Sequence, residues 1–385
     1  MAKKAFTCAI ACSALLSASA LAEINFNGFA TLAGGMTTDD EDTLHNYDGD
    51  FSFSPDSLFG LQANADLGDG LSVVGQLIAR GEDDWNLELE WGYVGYELTD
   101  TVKLLAGRQR APFFVYSDFL DVGYAYHWVA PPESVYSLPF SSIDGVSVLY
   151  TDYFGDWESI IQLSYGSNNQ DATISGQEVS TEADSFFTAA LTMNYDWLSL
   201  RAGYARADIT FDIADFDNLA GAWANAGFAD RAADIVVEDD TGTFLGFGAT
   251  VDYEKVLLIG EYTVVEPGDN LLAEEQKSWY LSAGYRLDDE IMVHATIGAD
   301  EDEPNTLAID GLPVPAFPPV DAFGTLYHTT AGAAEGFRTD STFWQVGVRY
   351  DFHPAAVFKL EYKQEDDDIT NNDVGLVRFA VSTVF

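Results

Sequence analysis

The chain has 385 residues, with 17 Lys and Arg against 63 Asp and Glu, and carries 26 Phe, 19 Tyr, 8 Trp and 33 Gly. Such an anion has no electrostatic footing on duplex nucleic acid. Its two cysteines, Cys8 and Cys12, both fall in the first residues, so a disulfide framework, a thiolate metal site and a cysteine nucleophile are excluded downstream.

In chain order, Lys3 and Lys4, the apolar run 5–16 and Ala20-Leu21-Ala22 before Glu23 read as a secretory signal peptide, residues 1–22. Cys12 would serve a lipoprotein anchor, but Ala9-Ile10-Ala11 precedes it without a leucine-like residue, and it sits early in the apolar run. Loss of Lys3 and Lys4 leaves 15 of the 17 basic residues against 63 acidic ones, a formal charge near −48 for residues 23–385. No later run approaches the roughly 20 apolar residues of a membrane helix. An exported chain rich in aromatics and glycine, without a helical span, fits a membrane β-barrel.

The alternation that a strand requires begins at once. Ile24, Phe26, Gly28, Ala30 and Leu32 share one face, with Asn25, Asn27 and Thr31 on the other. An acidic loop, 38–56, leads to strands 57–67 and 71–80 around Gly68-Asp69-Gly70. A short acidic tip at Glu82 leads to strands 86–98 and 102–107, and then comes an insertion, 108–144. Strands 146–153 and 157–166 follow, then a polar loop 167–183 and strands 186–195 and 198–208. A long loop whose 218–233 portion suits a short helix precedes strands 243–253 and 256–265. Strands 278–286 and 291–299, a proline-rich loop 301–338, strands 342–350 and 357–363, a loop 365–373 and a last strand 375–385 complete the chain.

That makes about sixteen strands, with short turns and long loops in alternation. The expected fold is all-β, a transmembrane antiparallel up-and-down barrel whose third extracellular loop folds into the lumen. A soluble sandwich has no reason to sort its connections by length. On strand 357–363, Val357, Lys359, Glu361 and Lys363 oppose Phe358, Leu360 and Tyr362. Periodicity alone lets the apolar set face either a core or lipid. The leader, the strand number and the rim aromatics Tyr96, Tyr153, Trp157, Tyr195, Trp197, Tyr253, Tyr285 and Tyr350 favour lipid.

At the chain end Val377, Phe379, Val381, Thr383 and Phe385 share one face. This resembles the C-terminal signature of Gram-negative outer-membrane barrels, and its implied assembly signal is Phe379, Val381 and Phe385, read by the barrel-assembly machinery. With the leader, the strand count and the long third loop, the chain resembles the sixteen-stranded Gram-negative porins. That resemblance implies a homotrimer in the outer membrane, among lipid and lipopolysaccharide, passing small hydrophilic solutes by diffusion. The third loop lacks the Pro-Glu-Phe-Gly-Gly stretch of enterobacterial general porins, and Thr383 stands where a larger apolar residue is usual.

If 108–144 folds inward, Arg108, Arg110, Asp118, Asp121 and Glu133 become candidate constriction residues. Strand phase places Arg80, Lys103, Arg201, Arg286, Arg349, Lys359, Lys363 and Arg378 on the wall, so that basic wall and acidic loop would set up a transverse field. The alternative is that these bases pair with inward Glu88, Glu90, Glu158 and Glu361. Arg108 or Arg110 would line the opening or brace the loop by pairing with a carboxylate. Tyr116, Phe119, Tyr124, Tyr126 and Trp128 are candidate stacking rings for a sugar or an organic anion, or they simply anchor the loop.

The acidic clusters at 39–42, 239–240, 301–303 and 366–368 suit a solvated rim, with loop-bound Ca²⁺ or Mg²⁺ as the alternative. No cofactor is called for. No H-E-x-x-H, G-x-S-x-G or phosphate-cradling motif is present, and a channel rather than an enzyme is expected.

Overall fold

In the computed structural model, whose described residues are 23–174 and 177–385, the alternating stretches become one continuous sheet. The segment read as a signal peptide lies outside the described residues. The first strands are β1 (Glu23–Thr37), β2 (Leu58–Gly68), β3 (Leu71–Arg80), β4 (Leu87–Glu97) and β5 (Val102–Arg110). Next come β6 (Ser142–Phe154), β7 (Trp157–Ile174), β8 (Gln177–Tyr195), β9 (Leu198–Phe211) and β10 (Val237–Tyr253). The set ends with β11 (Val256–Glu266), β12 (Glu275–Arg286), β13 (Ile291–Glu303), β14 (Asp340–His353), β15 (Ala356–Asp367) and β16 (Asn372–Val384). Each strand pairs antiparallel with its sequence neighbours, and β16 closes on β1 from Phe29↔Val384 to Thr37↔Leu376. Closure leaves the sheet no unpaired edge, which is what hydrocarbon demands of a spanning sheet.

The phase of the strands sorts the side chains. On β12, Ser278, Tyr280 and Ser282 are buried, whereas Trp279, Leu281 and Tyr285 are exposed. The outward rings gather in two bands. Near the short turns Trp157, Tyr195, Trp197 and Tyr253 stand ring to ring at 5.2, 6.4 and 6.2 Å. Toward the loops Trp344 and Tyr362 pair at 5.4 Å. Tyr285 and Trp279 lie on the same strand in opposite bands, and six residues of strand rise roughly 20 Å, close to the apolar height of outer-membrane barrels.

The loop end departs from expectation in three places. Most of the expected loop 167–183 is strand, because β7 and β8 stay paired as far as Ile174↔Gln177. Beyond the lipid band neither face must be apolar, so a polar segment can extend a ladder without showing the alternation by which strands are recognised. The expected loop 365–373 shrinks to 368–371 for the same reason. The long loops carry helices: α1 (Ala214–Asn225) and α2 (Ala229–Ala233) fall where a short helix was expected, and α3 (Ala322–Gly336) was not anticipated. Asp321 caps α3 by accepting from the Gly324 amide at 2.7 Å. Trp223 of α1 donates to Thr330 of α3 at 2.8 Å, tying the two helices together.

The interior is not uniformly wet. One buried apolar cluster joins Phe113 and Trp128 of the third loop to inner-wall Phe186, Phe244, Tyr280 and Phe343 and to Phe216 and Trp223 of α1. A simple split of apolar-to-lipid and charged-to-lumen therefore fails on the inner wall that the loop covers.

Candidate pore site

β5 ends at Arg110 and β6 starts at Ser142, so the third loop is 111–141, shorter at both ends than the expected 108–144. It crosses to the far wall and is bonded there strand by strand. The Val115 amide donates to Glu261 on β11 (2.8 Å), His127 meets Ser282 on β12 (2.9 Å), and the Trp128 indole donates to Thr296 on β13 (2.8 Å). Arg349 on β14 donates to the carbonyls of Tyr124 and Tyr126 (both 2.9 Å), and the Val129 amide donates to Glu361 on β15 (2.8 Å). Lys359 donates to the carbonyls of Gly123 and Trp128. At Gly123 the loop touches the β1–β16 seam so closely that a Cβ would stand 2.5 Å from Thr31 Oγ1 and 2.7 Å from Ser382 Oγ.

Two charge clusters lock the loop. In the first, Arg80 meets Asp121 (2.8 Å), Glu90 (3.0 Å) and Glu88 (3.3 Å), while Arg110 meets Glu90 (3.1 Å) and Asp121. In the second, Arg378 meets Glu133 (2.6 Å), Glu361 (3.2 Å) and Asp56 (3.3 Å), and Lys363 meets Glu365 (2.9 Å) and Glu133 (3.3 Å). Burial pushes the Asp121 carboxyl upward, but the guanidinium groups of Arg110 and Arg80 outweigh it and hold the group below its ordinary range. Glu133 is likewise raised by burial and brought far below the usual carboxylate range by Arg378, His45 and Lys363. Breaking such a buried pair from one side leaves the partner charge stranded, at about 3–5 kcal/mol.

The candidate residues thus divide. Arg110, Asp121 and Glu133 come together with Arg80, Lys363 and Arg378, but in direct contact. The expected transverse field across an open gap is not formed by these groups, since Lys359, Lys363 and Arg378 are sealed behind the loop. Arg108 pairs with Asp144 through Nε and Nη2 at 2.8 and 2.7 Å, bracing the two strands that flank the loop, and borders the same cavity as Arg80, Glu88 and Glu90. Arg286 lies at the turn rim, paired with Asp252 at 2.6 Å, well away from the loop contacts. Arg201 and Lys103 are part-exposed on the inward phase of β9 and β5, Arg201 donating to Thr192 Oγ1 and to the Pro112 carbonyl, each at 2.9 Å.

Of the rings proposed to stack on solute, Tyr126 and Trp128 are buried and Tyr116 is part-buried, each against the others. Tyr116 and Trp128 stand edge to face at 5.8 Å, and Trp128 meets Tyr280 at 5.5 Å. Tyr124 lies under Arg349 at 5.3 Å and donates to the Pro354 carbonyl at 3.0 Å. These rings hold the loop; Phe119, 54% exposed, is the one open to solvent. At the chain end Phe385 exchanges backbone bonds with Gly28 at 2.7 and 2.9 Å, which extends the closing seam by one residue.

Glu90, expected from the sequence as an inward partner for the bases, takes that role with Arg80 and Arg110, while Glu261 and His127 escaped the sequence reading. Glu90 turns inward because a register shift between Gln76 and Leu77 inserts one residue into β4. Glu261 accepts from Tyr136 and Tyr280, and its signal was available as the lone acid of an otherwise apolar run, VLLIGEYTVV. His127 contacts Ser282, but its Nδ1 has no partner and the pair is sealed beneath the loop, so the orienting carboxylate of a hydrolase triad is missing there. Among the described residues no three His, Cys, Asp or Glu side chains gather in a metal-binding arrangement.

The sequence matches the Gram-negative porin family over residues 7–305, and no curated protein matches it. Among solved structures, a loop-deleted OmpT of Vibrio cholerae is similar at a TM-score of 0.58 and 13% identity, over 94% of this chain and 99% of that one. DcaP, an outer membrane channel of Acinetobacter baumannii, is similar at 0.57 and 14%, over 96% and 99%. Salmonella typhi OmpF, solved with daunomycin, is similar at 0.58 and 13%, over 94% and 98%. At these identities the likeness concerns the fold, while the family match spans most of the sequence. Together with the closed sixteen-stranded barrel, it places the chain in the Gram-negative porin family, as an outer-membrane channel for passive diffusion.

Proposed function

We propose that this porin is a general, cation-preferring channel whose open lane runs between the third loop and the inner wall of β2–β9. The observation that carries the reading is the fate of the basic residues: Lys359, Lys363 and Arg378 are at most 1% exposed and spent on carboxylates or loop carbonyls. On the loop's free side Asp118 and Phe119 are exposed. An acidic mouth and a lane whose bases are few concentrate cations over anions. No catalytic role belongs to this reading.

The working form is a homotrimer, as in the trimer form of OmpT among the solved relatives. Lipopolysaccharide around the rim, and delivery by the barrel-assembly machinery through Phe379, Val381 and Phe385, complete the picture. The test is a reversal potential in planar bilayers under a KCl gradient. Cation preference is expected, reduced in Asp118→Asn; anion preference, or folded protein without conductance, would overturn the proposal.

A further inference from the structure

Above the third loop, on the extracellular side, lies a cavity of about 320 Å³ that no part of the conduction reading uses. Its walls are largely phenyl rings: Phe113 and Phe140 of the loop, Phe186 of β8, Phe244 of β10 and Phe337 after α3. Phe113 and Phe244 stand edge to face at 5.0 Å, and Phe140 and Phe186 at 5.5 Å, so the rings form a set framework. The lining holds two carboxylates: Glu266 of β11, which accepts from Thr243 Oγ1 at 3.2 Å, and Asp302, brought in by the inward phase of β13 and 6% exposed.

The surroundings of Asp302 are unusual beside those of Asp300 on the same face. Asp300 accepts from Ser278 Oγ at 2.7 Å and from Gln276 Nε2 at 3.1 Å. Asp302 has Thr339 beside its carboxyl group, but its Oδ1 has no hydrogen-bond partner among the described residues. The one basic residue at the cavity, Arg206, is engaged elsewhere, donating to Thr241 Oγ1 at 3.4 Å. A buried carboxylate oxygen without a donor is costly, and the group that would satisfy it best is a cation carrying N–H donors. The phenyl faces around it favour both an apolar body and a positive charge.

We infer that this cavity binds amphipathic organic cations, holding an aromatic or alicyclic body among the phenyl rings and a protonated amine at Asp302. Its volume is within the range of small-molecule sites, about 300–1,000 Å³. The acidic exterior supplies the attraction that brings such solutes to the mouth. The site lies in the vestibule, beside the lane proposed above, and its occupancy does not require that lane.

The test is calorimetric titration of the folded, detergent-solubilised protein, against a detergent blank, with three probes sharing one ring system. These are 1-naphthylmethylammonium, 1-naphthalenemethanol and 1-naphthoate. The ammonium is expected to bind roughly tenfold or more tightly than the alcohol, the increment of one charge-assisted hydrogen bond, and the carboxylate most weakly. Asp302→Asn should erase the preference for the ammonium and leave the alcohol unchanged, whereas Phe140→Ala should weaken both. Equal affinity for the three probes in the wild type, or a preference that survives Asp302→Asn, would overturn the inference. Should Asp302→Asn fail to fold, the wild-type order of the three probes decides alone. Because no current is measured, the cavity can fail this test while the channel reading stands, and the reverse.

Discussion

Replacing Asp121 with Asn probes how the third loop is held. The carboxylate receives Arg80 at 2.8 Å through one oxygen and Arg110 through the other, in a setting where it is only 8% exposed. An Asn amide keeps one acceptor and turns its donor toward the second guanidinium, so one charge-assisted bond is lost and the other weakened. Hydrogen bonds to charged groups contribute about 1.5–3 kcal/mol each, which puts the net loss near 3 kcal/mol. Glu90 still receives both arginines, so neither cation is left bare. At about 1.4 kcal/mol per decade, the ratio of docked to undocked loop falls roughly a hundredfold. Hydrogen exchange reads this directly, because the Val122 and Ala125 amides beside Asp121 are bonded within the loop, each at 2.8 Å. Their exchange should accelerate about a hundredfold, while the barrel ladder keeps its wild-type protection. Unchanged exchange in the loop would refute the lock, and equal acceleration in the strands would show that the barrel itself had been weakened.

Acid should release the loop in two stages. Burial first, then His294, Lys359 and Arg349, hold the His127 imidazole well below its ordinary range. A base depressed in the docked state favours undocking as pH falls below about 6.5. Asp121 and Glu133 are depressed acids, so their stabilisation is complete above the ordinary carboxylate range near pH 4 and is lost as pH falls toward their docked values. Closure events in single-channel records should therefore rise in two steps between neutral pH and about pH 3, and His127→Gln should remove only the first. One step near pH 4 in the wild type would exclude the histidine part. Gly123→Ala should displace the loop from the β1–β16 seam, at about 1–3 kcal/mol for overpacking, with altered conductance. Conductance should recover when the hydroxyls are removed in Thr31→Ala/Ser382→Ala; an unchanged Gly123→Ala channel would contradict the close approach.

Strand identity was legible because a lipid-facing strand must alternate. Leu281 and Trp279 had to share a face opposite Tyr280 and Ser282 whatever their neighbours, so the period of two survives without knowledge of the fold. Where that requirement lapses, beyond the lipid band at 167–183, the strands were missed. The aromatic third loop was also legible, since a long hydrophobic insertion needs a place to bury its rings.

The functional assignment of its residues depended on tertiary contacts. Phase put Lys359, Lys363 and Arg378 inward, but nothing local told that the loop would lie on them, or that Glu133 and two backbone carbonyls would take up their charges. A single inserted residue in β4 set Glu90 between Arg80 and Arg110, and Asp144 took up the charge of Arg108. The sequence by itself determined an exported barrel with an aromatic loop to bury, because hydropathy period and chain length are properties of a segment alone. Which charges meet and cancel, and which carboxylate is left over at Asp302, only the tertiary structure decided, because pairing joins residues up to 322 positions apart.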